Sequence, residues 1–508
     1  MKSFLRATAA FLLTSFIVSI LTLTQTQAQM NAIGTFDHHQ DIGNPKMKGS
    51  TSYDEKEQTY TMSGAGYNMW GDRDEFQFAW KKLKGDFIVR ATIQFVGKGE
   101  AAHRKIGIMA RESLDDNSKY ADACVHGDQL TSLQYRAEVS GETEQVELSV
   151  FHPTDIELER KGNKFIFSAA VFGENYKSVT KELDLSEDLY VGLFICSHLE
   201  DVVEKAIFSN VRIVIPEWEG LVQYRDYLGS NLEVMDIETG HRNILHTAPN
   251  SLQAPNWTPD NKKLIWAEEG LLKYYNLEDG TLGTLNTGLA NQNNNDHVLS
   301  FDGKMMGISH HVGENRTSTV YLMPATGSDN PEQITKPENG HSFLHGFSPD
   351  GKKMIYTAQR NNQWDIWQVD IASKEEINLT NNEALDDGSE YSPDGKYIYF
   401  NSVRTGTMQI WRMKPDGSEQ EQITFDEYND WFAHFSPDGK WIVYISFPAD
   451  MDPSTHPFYK KVYIRLMPAS GGVPKTIAYV YGGQGTINVP SWSPDSKKIA
   501  FISNTKVE

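Results

Sequence analysis

Residues 348–352 read SPDGK, and the phrase returns through the second half of the chain as TPDNK at 258–262, SFDGK at 300–304, SPDGK at 392–396 and 436–440, and SPDSK at 493–497. Its chemistry is that of a tight turn. Pro sets φ for a central position, Asp bonds nearby backbone, and Gly accepts φ above zero. The turn aspartates Asp260, Asp302, Asp350, Asp394, Asp438 and Asp495 fall 42 to 57 residues apart, the spacing of blades in a radial array. After the turns come alternating segments such as KKMIYTAQ at 352–359 and aromatic-rich ones such as WDIWQVDI at 364–371. β-Branched and aromatic residues at period two between turn formers predict strands.

Six copies predict six blades. The last copy, SWSPDSKKIAFISN at 491–504, supplies two strands, while residues 221–246 hold two more without a turn phrase of their own. Joining the two ends in one blade closes the ring and removes its open edges. The expected propeller therefore spans 218–508, its last blade completed by residues 221–246.

These repeats resemble the TolB-like β-propeller family. The resemblance covers about residues 218–508, and the ending GGQGTINVPSWSPDSKKIAF is similar to a group of exported members. It implies a six-bladed propeller in the cell envelope; the family's best-known member binds a peptidoglycan-associated lipoprotein. A shared fold leaves the activity open.

Ahead of the repeats, residues 30–215 carry a chain of strand-like phrases with Gly and Asp turns, among them KGDFIVRATIQF, KIGIMARESL and LYVGLFICSHL. Their order resembles concanavalin-like β-sandwich domains of exported carbohydrate-active proteins. VIPEWEG at 214–220 is the expected linker. The expected architecture is all-β: a concanavalin-like β-sandwich followed by a six-bladed TolB-like β-propeller.

The first 28 residues order a charged start (Lys2, Arg6), an apolar run from Ala9 to Leu23 and a small-residue end at Ala28. That order predicts a signal peptide cleaved after Ala28, hence a periplasmic or secreted protein. No later stretch is apolar for long enough to span a bilayer. The 508 residues carry 68 acidic against 47 basic side chains, a net charge of −21. That excess argues against nucleic acid and anionic membrane surfaces as partners. Export permits a disulfide between the two cysteines, Cys124 and Cys196, without requiring one.

In a propeller the inner strand leads into the repeated turn, so residues ahead of each copy gather at the opposite mouth of the central channel, joined there by loops between second and third strands. This places Asn295, His297, His310, His311, Arg316, His341, His345, Arg360, Asp387, Glu390, Arg404, Asp430, His434, His456 and Asn488 on one rim. The insertion FPADMDPSTHPFYKK at 447–461 should overhang it.

Three readings compete for this rim. His297, His341, His345 and His434 could hold a divalent metal, with Asp430 or Glu390 behind them. Oligogalacturonate lyases are similar in architecture, and that resemblance implies metal-dependent cleavage of uronate chains at such a mouth, although their site residues do not match these one by one. Alternatively, Arg316, Arg360 and Arg404 could grip an anionic group by forked hydrogen bonds, with Asp430, Glu390 and Asn488 adding polar contacts and Trp431 and Trp364 offering apolar faces. Such a site would bind a glycan, a small ligand or a cell-envelope protein. Third, the histidines could simply line the channel. Trp367, Trp411 and Trp364 itself read by alternation as packing between blades rather than sugar platforms. In the sandwich, Trp70 is a candidate sugar platform, and Asp72 and Asp74 are candidate calcium ligands or an ordinary turn. The sequence contains no nucleophile elbow, zinc-helix or phosphate-loop motif.

Overall fold

The computed structural model describes residues 32–507. The expected signal segment lies outside them. Strands account for nearly all the regular structure, and contacts divide the chain into two compact units, 1–213 and 214–508.

The first unit consists of two seven-stranded antiparallel sheets. They stack strand over strand: Phe87–Val96 lies over Lys105–Arg111, Asp155–Lys161 over Tyr120–His126, and Lys164–Ala170 over Thr131–Arg136. Alternation in these strands sends residues such as Ile88, Ile108, Leu133 and Phe167 out of solvent. Cys124 and Cys196 are buried free thiols in one apolar cluster, and burial pushes both thiols up. Asp74 is fully buried between Arg111 and Arg136, with Oδ1 2.8 Å from Arg136 Nη2 and Oδ2 3.3 Å from Arg111 Nη2. Its oxygens are thus committed to guanidinium donors rather than calcium. Trp70 keeps 37% of its surface exposed.

The second unit is a six-bladed β-propeller. Five four-stranded antiparallel sheets follow one another at 253–285, 293–333, 342–378, 386–422 and 429–482. In the sixth, Trp492 bridges Ile499, Lys498–Thr505 pairs with Gly229–Asp236, and that strand pairs with Arg242–Ala248. Leu232 stands opposite Ile502, so the two ends of this unit share one sheet.

The repeated phrase forms the turn between the two innermost strands. In the third blade Asp350 Oδ1 accepts from Ser348 Oγ (2.6 Å) and the Lys352 amide (3.1 Å), while Gly351 sits at φ 69°. Two copies replace that glycine: Asn261 takes φ 59° and Ser496 takes 62°. Each puts its side chain to use, Asn261 Oδ1 accepting from Trp257 Nε1 (2.9 Å) and Ser496 Oγ from the Asp438 amide (3.0 Å).

Blade-to-blade packing supplies the core. Ile265 and Leu272 of the first blade pack with Met306 and Ile308 of the second; Val320 and Leu322 of the second pack with Leu344 and Tyr356 of the third. The same arrangement joins Ile366 to Phe400, Ile410 to Tyr444, and Trp266 to Ile502. Sheets that are apolar on both faces have no stable exposed form, which is what makes ring closure favourable.

Candidate functional site: the channel mouth

The inner strands do not run regularly to the mouth. Register shifts interrupt their pairing between Gln253 and Asn256, Asn293 and His297, Leu344 and Gly346, Asp387 and Glu390, and Trp431 and His434. A bulge of this kind adds a residue and redirects the side chains beyond it. At three of the five the backbone turns to positive φ, at Ala254 (56°), Gly388 (59°) and Phe432 (57°). A Cβ on Gly388 would stand 2.3 Å from Asn401 Nδ2, so a larger residue there would have to displace that side chain.

Above the bulges the strands open a cavity of about 1320 Å³. The seventh residue before the turn aspartate lines it in five blades: Gln253, Asn295, Phe343, Asp387 and Asn488. In the fifth blade that place belongs to Trp431, which is buried, and the next residue, Phe432, takes the wall position. Ser454 and His456 from the long insertion also border it.

Asp387 is the hub of the wall. Its Oδ1 accepts from Thr357 Oγ1 (2.7 Å) and the Gly388 amide (2.6 Å) and stands 3.3 Å from His345 Nε2; Oδ2 is 3.7 Å from His456 Nε2. Burial works to raise the Asp387 pKa, but His345 and His456 outweigh it and hold the carboxyl far below the usual range. Burial likewise works to lower His345, and Asp387, Asp296 and Glu390 reverse the direction and raise it. Asp296, close by, is pushed up to about 6, chiefly by burial. His345 stacks on Phe432 with ring centroids 5.9 Å apart. Phe343, Trp364, Tyr224 and Tyr227 supply further ring surface.

Of the residues expected at the rim, the structure brings Asn295, His311, Arg316, His345, Asp387, His456 and Asn488 to the cavity wall. Others are held elsewhere by identifiable partners. His297 is buried with Nε2 3.4 Å from the Ile265 carbonyl, and burial lowers it to about 4. His434 is clasped between Glu390 Oε2 (2.6 Å) and the Ile487 carbonyl (2.8 Å). His341 accepts from the Ser318 amide (3.1 Å) and stacks on Phe343. The four histidines therefore form no common donor set. Among the described residues, the one group of three such donors within 4.8 Å of one another is His103, His126 and Asp128.

The arginines also separate. Arg316 reaches the wall and donates to Gln292 Oε1 (3.1 Å). Arg360 lies over the Trp367 ring and pairs with Glu376 (3.1 Å), while Arg404 lies over Trp411 and pairs with Asp386 (2.7 Å). Both are tied down beside the outer strands. Asp430 is fully buried, bonded to Ser446 and raised to about 7 by burial and by the neighbouring Asp426 charge; Trp431 packs edge-on against His456.

Five four-stranded blades and a sixth built from both ends of the unit define the class, a six-bladed β-propeller. Residues 298–452 match the family model described as the TolB beta propeller domain. An uncharacterized protein of Agrobacterium fabrum is 44% identical over 280 residues, covering 55% of this chain and 94% of the relative. A solved structure from Agrobacterium tumefaciens described as a candidate TolB is 43% identical, with 56% of this chain and all of that chain covered and a TM-score of 0.53. TolB from Acinetobacter baumannii is 21% identical at a TM-score of 0.38, covering 49% of this chain and 56% of that one. The chain belongs to the TolB β-propeller family.

Proposed function

We propose that this protein is a binding module of the cell envelope whose channel mouth takes a neutral or cationic polar segment of a partner protein. The observation that carries this reading is the wall itself. Glu268, Glu269, Asp296 and Asp387 face it with Arg316 as the arginine among them, and Asn250, Gln253, Asn295, Gln484 and Asn488 crowd the same surface. Amides pair well with a peptide backbone, carboxylates attract ammonium and guanidinium groups, and Phe343, Trp364 and Phe432 offer apolar contact. The acidic balance disfavours a polyuronate, and dispersal of His297, His341 and His434 away from His345 removes the support for a metal-dependent lyase. Export through the N-terminal segment and a concanavalin-like, glycan-directed sandwich belong to the same reading; the two stacked sheets support the second.

Calorimetric titration tests it. Wild type and D387N would be titrated with the periplasmic domain of the host's peptidoglycan-associated lipoprotein, with a lysine-rich peptide, and with neutral and uronate oligosaccharides. Saturable protein or peptide binding that weakens at least about tenfold in D387N supports the reading, because charge-assisted bonds contribute about 1.5–3 kcal/mol each. Preference for oligouronates, or turnover of them, would overturn it.

A further inference from the structure

Outside the propeller, one edge of the sandwich gathers three imidazoles and a carboxylate. His126 ends the strand Tyr120–His126 and Asp128 occupies the turn after it. His103 lies in the loop before Lys105–Arg111, and its Nδ1 stands 3.3 Å from Asp128 Oδ2. Its ring centroid is 5.8 Å from that of His126 and 5.6 Å from that of His198. Donor atoms of His103, His126 and Asp128 all lie within 4.8 Å of one another.

From this geometry we infer that His103, His126 and Asp128 form a site for a divalent first-row cation of the zinc type, with His198 in place to complete it. Bonds of about 2.0–2.1 Å in a tetrahedron set neighbouring donors roughly 3.4 Å apart, close to the His103–Asp128 separation. Imidazole with one carboxylate suits zinc over calcium, which favours all-oxygen surroundings. Inside the cluster, His126 is 96% buried (4% exposed) and its Nδ1 has no hydrogen-bond partner. Such an orphaned nitrogen costs free energy unless something occupies it.

The backbone holds these donors in place. The Gly127 amide donates to the Arg104 carbonyl and the Asp128 amide to the Ala102 carbonyl, both at 2.8 Å, clamping the His103 loop to the His126–Asp128 turn. Arg104 braces the loop from below, donating to Glu204 Oε2 (2.7 Å) and the Gly97 carbonyl (3.0 Å). Gly99 lets it pass, since a Cβ there would meet the guanidinium at 2.2 Å. Lys105 is the opposing charge, anchored away to Asn68 Oδ1 (2.7 Å). A bound cation would join the loop, the turn after Tyr120–His126 and the turn at His198 into one unit, stiffening that edge of the sandwich.

The test uses the full exported chain, stripped with a chelator and titrated with zinc by calorimetry, then with cobalt(II) by visible absorption. One zinc per chain is expected, with tetrahedral cobalt bands, and H103A and D128N, both near the surface, should each weaken binding at least about tenfold. H126Q serves as a third variant, its folding checked by circular dichroism. Absence of saturable binding would overturn the site. So would stoichiometric binding that survives H103A and D128N, or that disappears instead in H345A at the propeller mouth.

Discussion

His345 Nε2 lies 3.3 Å from Asp387 Oδ1, joining the inner strands of the third and fourth blades across the channel wall. Neither residue is near the other in sequence, and each reverses what burial alone would do to its partner's charge. His345 is raised above its ordinary 6.5, so its contribution to stability is fully present below that pH and is lost as pH rises through the folded value. Asp387 is depressed below its ordinary 3.8, so its contribution is present above that pH and is lost on acidification. The pair therefore stabilises most between about pH 4 and 6.5. In D387N the His345 pKa is expected to fall, as read from imidazole proton shifts. The stability gap between wild type and variant should narrow from pH 6 to pH 8 in urea unfolding; a gap that widens over this range would contradict the pairing.

Asp296 shows the opposite sign for a carboxylate. Burial raises it from 3.8 to about 6, so ionising it in the folded protein is unfavourable and the cost grows as pH rises from the first value to the second. D296N should accordingly be more stable than wild type by about 1–3 kcal/mol at pH 8, with little difference near pH 4. Unfolding midpoints at the two pH values measure this directly. Cation affinity at the mouth should drop in the same variant.

Ring closure rests on the facing of Leu232 and Ile502, 0% and 1% exposed. I502A is expected to cost about 2–5 kcal/mol. A chain ending before Lys498 should lose the cooperative unfolding transition of the propeller, because Gly229–Asp236 then has no neighbour on its inner side. Differential scanning calorimetry reads both effects.

In the sandwich, the single carboxylate of Asp74 bridges two fully buried guanidiniums, Arg111 and Arg136. D74A leaves them uncompensated and should destabilise this unit by about 3–5 kcal/mol.

The propeller was legible because its period is written in backbone chemistry. Pro, Asp and a residue tolerant of positive φ must return wherever the chain makes the same turn, and Asn261 and Ser496 keep that conformation where glycine is absent. The rim was legible in outline, since the inner strands had to end there. Alternation misled in detail: reading Asn295 and His297 as neighbours on one face passed over Asp296, because the shift between Asn293 and His297 breaks the period of two. A constant offset of seven residues before each turn aspartate, common to Gln253, Asn295, Phe343, Asp387 and Asn488, was the available signal.

By itself, then, the sequence determined the number of blades, the strand pattern and the pairing of the chain's last strand with an early one, since turn propensity and apolar alternation are local properties that repeat. Which side chains share the channel wall was decided by the tertiary structure alone. Bulges, and partners such as Glu376 for Arg360, Asp386 for Arg404 and Glu390 for His434, turn particular groups toward or away from the cavity. Those choices come from the balance of burial and pairing among residues brought together across blades, and no local pattern encodes that balance.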